Sequence, residues 1–189
     1  MNALKRVLVA ISALAVTVPS SAQVGGYDGE QFVKAIKDGK GNDALKLLQD
    51  KPTLVNARDF NGQTALIAAI ENRDREWAGY LLQQGADPNL ASSNGDTPLM
   101  VAAKTGSQEI AEWLIGEGAK VDATNRMGET ALILAVQGRQ LGIVRALMTA
   151  GANPDRTDSA QGFSARDYAK RDSRTPELLR IIEAKTPKP

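Results

Sequence analysis

Apolar residues along this chain come in short blocks at helical spacing, separated by polar stretches rich in glycine, asparagine and aspartate. Ile110, Ala111, Leu114 and Ile115 keep the spacing of one helix face, which predicts an amphipathic helix. The block before it is short and carries small residues such as Ala102, and Ala69 and Ala135 sit in similar blocks. Small side chains of this kind let a neighbouring helix approach closely. The expected unit is a short helix, a turn, a second helix with an apolar stripe, and a polar return such as residues 87–94. One such unit is too small to bury its own apolar face, so it must stack on others like it.

The chain contains those others. Asn61-Gly62-Gln63-Thr64-Ala65-Leu66 aligns with Asn94-Gly95-Asp96-Thr97-Pro98-Leu99 and Met127-Gly128-Glu129-Thr130-Ala131-Leu132, the three glycines lying 33 residues apart. Gly85, Gly118 and Gly151, each followed by alanine, keep the same interval, as do Leu81, Leu114 and Leu147. Gly62, Gly95 and Gly128 fit a turn that needs positive φ or a close backbone approach. Thr64, Thr97 and Thr130 are placed to cap a helix N-terminus, and Pro98 falls in a first helical turn, where proline is tolerated. Gly85, Gly118 and Gly151 are expected to end the second helices.

These residues resemble the ankyrin repeat, whose Gly-x-Thr-Pro-Leu opening and Leu-Leu-x-x-Gly-Ala ending they match, most closely at Gly95-Asp96-Thr97-Pro98-Leu99. The resemblance spans residues 29–185 and implies an all-α solenoid of about five helix-turn-helix repeats with loop or β-turn tips. The boundaries fall at 29–59, 60–92, 93–125, 126–159 and 160–185, with a polar tail at 186–189. Where ankyrin repeats usually carry histidine, this chain has Ile67, Met100 and Ile133, which replaces a polar contact between repeats by apolar packing. The end repeats are degenerate, as caps of a stack should be. The first fits through Phe32, Ala35, Gly39, Leu47 and Leu48. The last opens at Gly162-Phe163-Ser164 after one inserted residue, and Thr175-Pro176-Glu177 is expected to open its second helix with a cap.

The resemblance also implies a partner protein, held by the loop tips and the exposed side of the first helices. Carried onto this sequence, those positions are Phe60, Asn61, Gln63, Glu71 and Asn72 in the second repeat. The third supplies Ser93, Asn94, Asp96, Lys104 and Thr105, and the fourth Arg126, Met127, Glu129 and Gln137. Against that reading, Asn61 and Asn94 precede glycine and suit tight turns by themselves. Phe60, Met127 and Phe163 are assigned to tip columns where the third repeat has Ser93 or Asn94, so they either form an apolar binding strip or fold back on neighbouring loops. Tyr80 and Trp113 are in phase on the second helices and are expected to pack between repeats, near each other, while Trp77 shares the core column of Ile110 and Ile143.

Composition narrows the chemistry. With no histidine or cysteine, thiol nucleophiles, Ser–His pairs, disulfides and the usual zinc sets are absent, so no catalytic, metal or cofactor residues are expected. A net charge of +1 and 4% aromatic residues argue against a nucleic-acid partner. Asp96, Glu129 and Glu71 leave a carboxylate-dependent enzyme as a remote alternative. Charge divides along the chain: residues 23–155 hold 13 basic and 17 acidic residues, residues 156–189 hold 8 and 5. That basic end could tether the protein to an anionic envelope surface, or simply cap its own helix dipole in solvent.

One apolar run does not fit the repeat. Residues 7–18 follow Lys5 and Arg6 and precede Pro19 and the small residues Ser20, Ser21 and Ala22. Twelve helical residues reach about 18 Å, short of the roughly 30 Å of a bilayer core. Residues 1–22 therefore read as a signal peptide cleaved after Ala22, with residues 23–28 as a linker. The expectation is a periplasmic or secreted protein with no membrane span after cleavage, monomeric when unbound, that binds a protein partner without catalysis.

Overall fold

The computed structural model describes residues 27–184. The expected signal peptide, its cleavage point and the 186–189 tail lie outside the described residues. Ten α-helices follow one another in pairs. They are α1 (Tyr27–Lys37) with α2 (Gly41–Asp50), α3 (Ala65–Glu71) with α4 (Arg75–Gln83), and α5 (Pro98–Thr105) with α6 (Gln108–Gly116). Then come α7 (Ala131–Gln137) with α8 (Leu141–Thr149), and α9 (Ala165–Arg171) with α10 (Glu177–Glu183). A 3-10 turn, Pro52–Asn56, follows α2, and extended pairing among the described residues is confined to two isolated bridges, Arg58 with Thr64 and Thr157 with Ser164. The fold is an all-α solenoid of helical repeats, as the periodicity predicts.

Capping marks the starts of α3, α5, α7 and α9. Thr64, Thr97, Thr130 and Ser164 accept from the backbone N–H three residues on, at 3.2, 3.3, 3.2 and 3.2 Å. The second helices α4, α6 and α8 each end in a paired closure around a left-handed glycine. At Gly118, for example, Gly118 N donates to Ile115 O at 3.1 Å and Ala119 N to Leu114 O at 2.9 Å, and Gly85 and Gly151 repeat the pattern. First helices end the same way at Gly39, but that column then runs Arg73, Gly106 and Arg139, so two arginines hold φ of 55° and 53°.

Burial follows the small-residue logic. First helices stack on first helices (α1 on α3, α3 on α5, α5 on α7, α7 on α9), and α4, α6, α8 and α10 stack behind them. Ala69, Ala102 and Ala135 are each fully buried between such neighbours. Ile67, Met100 and Ile133 are buried too, so apolar packing does replace the polar contact in that column. Trp77 closes the crease over Gly41, and Trp113 lies over Gly79, where an added Cβ would sit 3.4 Å from its ring.

Three local expectations are corrected. Tyr80 meets Trp77 edge-on, with centroids 5.4 Å apart, rather than pairing with Trp113; the close approach of Trp113 to Gly79 occupies that crease. Helix α1 begins at Tyr27, inside the segment read as linker, with Asp28 and Glu30 in a first turn whose dipole favours them. Thr175 makes no side-chain cap; it contributes its carbonyl, which accepts from Leu178 N at 3.1 Å, and α10 starts after Pro176.

Candidate functional site

Three of the loop tips are built around one short polar side chain at their base, while the tip of the third repeat closes through the backbone of Ser92. Asp59 Oδ1 accepts from Asn61 N at 2.9 Å and Gln63 N at 2.8 Å, and its Oδ2 accepts from Lys37 Nζ at 2.6 Å. Asn125 Oδ1 accepts from Met127 N at 2.9 Å and Glu129 N at 3.0 Å, while its amide donates to Asp96 and Glu129, both at 2.8 Å. In the last repeat Asp158 accepts from Gln161 N at 2.7 Å, Gly162 N at 3.1 Å and the Tyr168 hydroxyl at 2.6 Å. Sequence reasoning missed Asp59, Asn125 and Asp158. They share one column of the 33-residue period, with Ser92 between Asp59 and Asn125, and that period could have revealed them.

Neighbouring tips are then sewn together through the backbone. Arg126 N donates to Asn94 O at 3.1 Å and Ser159 N to Met127 O at 2.8 Å, while Arg58 Nη1 reaches Ala91 O at 2.5 Å. A second row of ties links the far loops: Asn56 and Asn89 each donate to a glycine carbonyl one repeat on, Gly85 and Gly118, at 3.2 Å.

The residues carried over from the resemblance divide into three groups. Phe60, Asn61, Ser93, Asn94, Arg126 and Met127 lie exposed along the sewn edge, with Phe60 79% and Met127 53% accessible. Glu71, Lys104 and Gln137 form a repeat-equivalent row of exposed positions at the ends of the first helices. Glu71 accepts from Gln63, and Lys104 donates to Asp96 at 2.8 Å, so both are held against their own tips. The third group is spent inside the fold. Glu129 is buried against Asn125, Asn72 donates to the carbonyls of Ile36 and Lys37 at 3.0 and 3.1 Å, and the Thr105 hydroxyl donates back to Val101 O at 3.0 Å.

Phe163 leaves the apolar strip. The inserted residue shifts it to the register of Asp96 and Glu129: Asp158 N donates to Phe163 O, as Asn125 N does to Glu129 O. Its ring folds back under Arg171, 3.7 Å from the guanidinium carbon, and edge-on to Tyr168.

Burial pushes the Asp59 carboxyl up, but the Lys37 ammonium and the N–H groups of Gln63 and Asn61 outweigh it and hold the group below the usual carboxylate range. Asp158, Asp167 and Asp172 are likewise lowered. Carboxyls tuned downward stay ionised at neutral pH and do not serve as general acids. Among the described residues no three potential ligands gather to hold a metal ion, and no helix is long and apolar enough to cross a membrane. A shallow groove of about 430 Å3 between α6 and α8, lined by Ile115, Gly142 and Ala146 among others, faces away from the tips.

The Asp59 geometry gives a pH prediction. A carboxyl whose folded pKa is depressed contributes stability above its unfolded pKa, about 3.9, and loses it as pH falls through the folded value. The stability gap between wild type and Asp59→Asn, read from urea midpoints, is expected to be about 1–2 kcal/mol at neutral pH and to shrink on acidification below about pH 4. A gap unchanged in acid would assign the loss to shape rather than charge.

Residues 76–158 match a family profile described as Ankyrin repeats (3 copies), and residues 47–99 match one described as Ankyrin repeats (many copies). The chain belongs to the ankyrin-repeat family. A search of curated proteins gave no match. Ankyrin repeats are generally protein–protein interaction modules and typically non-enzymatic, so this ankyrin array implies a protein partner.

Proposed function

We propose that this ankyrin array is a non-enzymatic binding module that works in the periplasm, or outside the cell, once residues 1–22 are removed, and holds a protein partner along its tip edge. The observation that carries the reading is the contrast at the tips. Their backbone groups are tied to Asp59, Asn125 and neighbouring tips, yet Phe60 and Met127 remain exposed at 79% and 53% where Ser93 shows that no apolar group is required. Exposed apolar anchors on a rigid frame suit an interface, because little conformational entropy is lost on docking. The role is that of a scaffold, inhibitor or protective partner.

Photo-crosslinking tests the edge. A benzoylphenylalanine placed at Phe60 or Met127 is expected to trap one discrete partner in cells, and the same probe at Gln49 or Glu112, both exposed on second helices, is expected to trap none. Phe60→Ser with Met127→Asn should abolish trapping from a probe at Asn94 and change stability by no more than about 0.5 kcal/mol. Trapping that survives the double substitution removes the tip edge from the interface. Fractionation of the same cells, with the protein found only in the cytoplasm, removes the periplasmic assignment.

A further inference from the structure

Charge on this molecule is sorted across the stack more sharply than along the chain. The ends of the first helices and the turns after them (residues 34–40, 71–75, 104–107, 137–140 and 170–174) hold ten basic and four acidic side chains. The other described residues hold nine basic and eighteen acidic. Successive turns touch one another. Asn72 bonds to the end of α1, a Cβ on Gly106 would lie 2.7 Å from Gln140 Nε2, and Arg139 Nε donates to Asp172 at 2.6 Å. With the Arg75–Glu109 ion pair, they line one edge at the opposite end of the first helices from the tips, from which Glu71, Lys104 and Arg171 reach back to Gln63, Asp96 and Phe163.

The carboxylates on this edge are all engaged within the fold. Asp38 pairs with Lys34 and Lys40, Glu71 with Gln63, and Asp172 with Arg139, while Asp74 caps Trp77 N at 2.9 Å. Among the described residues, Arg73, Lys170, Arg171 and Arg174 form no ion pair. Arg73 adds an independent observation. It sits at φ 55° in a column where Gly39 and Gly106 meet the same need without strain. A non-glycine residue there costs about 1 kcal/mol. Arg139 bears the same strain but pairs with Asp172. The Arg73 side chain is exposed and makes no hydrogen bond or ion pair among the described residues.

We propose that this basic edge is a second docking surface, separate from the tip edge, and that its occupant is an acidic, extended segment of a partner protein. Arg73 and the unpaired cations Lys170 and Arg174 stand three repeats apart, about 27 Å for helices packed 8–10 Å from each other. An extended chain covers that span in about eight residues. Discrete carboxylates can meet these cations and pass by Asp74 and Asp172. A duplex with a charge every ~1.7 Å would set phosphates against those carboxylates as well. The large exposed apolar side chains among the described residues are Tyr27, Phe60 and Met127, none of them on this edge, so it offers nothing to insert into lipid.

Fluorescence anisotropy with the full protein and labelled octaglutamate, with octaglutamine as control, tests the proposal. Octaglutamate is expected to bind saturably at about 30 mM salt and about tenfold more weakly at about 300 mM, with no binding of octaglutamine. Arg73→Gly relieves backbone strain, so the variant should fold at least as stably as wild type while binding about threefold more weakly. Adding Arg174→Gln should bring the loss to about tenfold, and Phe60→Ser should leave binding unchanged, which separates this edge from the tip-edge reading. Four results would overturn the proposal: no octaglutamate binding, binding indifferent to the arginine substitutions, tighter binding to anionic vesicles or single-stranded RNA, or salt-reversible self-association in place of peptide binding.

Discussion

Gly128→Ala is expected to destabilise the protein by about 3 kcal/mol, and Gly118→Ala by only about 1 kcal/mol. Both glycines are left-handed, at φ 73° and 84°, so both substitutions carry the cost of a Cβ in that conformation. Only Gly128 also has a neighbour in the way. A Cβ there would lie 2.9 Å from Ser159 N and 2.6 Å from Ser159 Oγ, whereas nothing lies within 4 Å at Gly118. Ser159 N is the donor of the 2.8 Å bond to Met127 O, so the tip cannot retreat without giving up a tie between repeats. Urea midpoints of the two variants measure the difference. Equal losses would mean that positive φ alone explains the tip glycines and that close approach adds nothing.

The other large effect is expected at Leu114. Its side chain is fully buried in α6, in the middle repeat, and Leu114→Ala should remove about 3–4 kcal/mol through lost burial and the cavity left behind. Ile115, the next residue, is only half-buried, and Ile115→Ala should cost about 1 kcal/mol. For a domain of this size the Leu114 loss corresponds to a fall of about 10 °C in Tm by calorimetry. A repeat array adds a second signature, because α6 packs against both α4 and α8. Weakening it should uncouple the two ends and broaden the transition, which a loss near a terminus would not do. A sharp transition shifted by less than about 2 °C would show that the middle repeat is not the link that joins the stack.

Most of the fold could be read from the sequence because it is written in repeated columns. Thr97, Leu99 and Gly118 act locally, through a cap, burial and a left-handed turn, and each recurs 33 residues away with the same job, while the repeat-mates of Pro98 are Ala65 and Ala131. Reading failed where the outcome depends on what lies one repeat over. Whether Glu129 faces out or in is decided by the Asn125 amide, and whether Asn72 is free is decided by the carbonyls at the end of α1. Phe163 was misplaced because a single inserted residue moves it from the tip to the register of Asp96, where Arg171 covers it. For Phe60 and Met127 the pattern alone allows exposure or folding back on neighbouring loops, and both side chains are exposed, at the rim they share with their repeat-mates Ser93 and Asn94.

The two arginines at positive φ belong to the same lesson. Gly39 and Gly106 mark a column that sequence alone does not single out, since Arg73 and Arg139 break its glycine pattern. The conformation is imposed by the closure at the ends of α1, α3, α5 and α7, in which Asp74 N donates to Ala69 O and Gln140 N to Ala135 O, at 2.8 and 2.9 Å. Geometry, not residue type, holds the column together.

The ties between repeats are all short in sequence. The longest side-chain hydrogen bond, from Asn72 to Ile36 O, spans 36 residues, and tip bonds such as Arg126 to Asn94 reach back only one repeat. No part of the described structure waits for the far end of the chain to arrive. A polypeptide emerging from a narrow pore one end first could therefore complete each unit as the following one appears, like courses of brick laid on a finished row. Pulled from its two ends, the same molecule should give way a course at a time, in small repeated steps of force rather than one rupture.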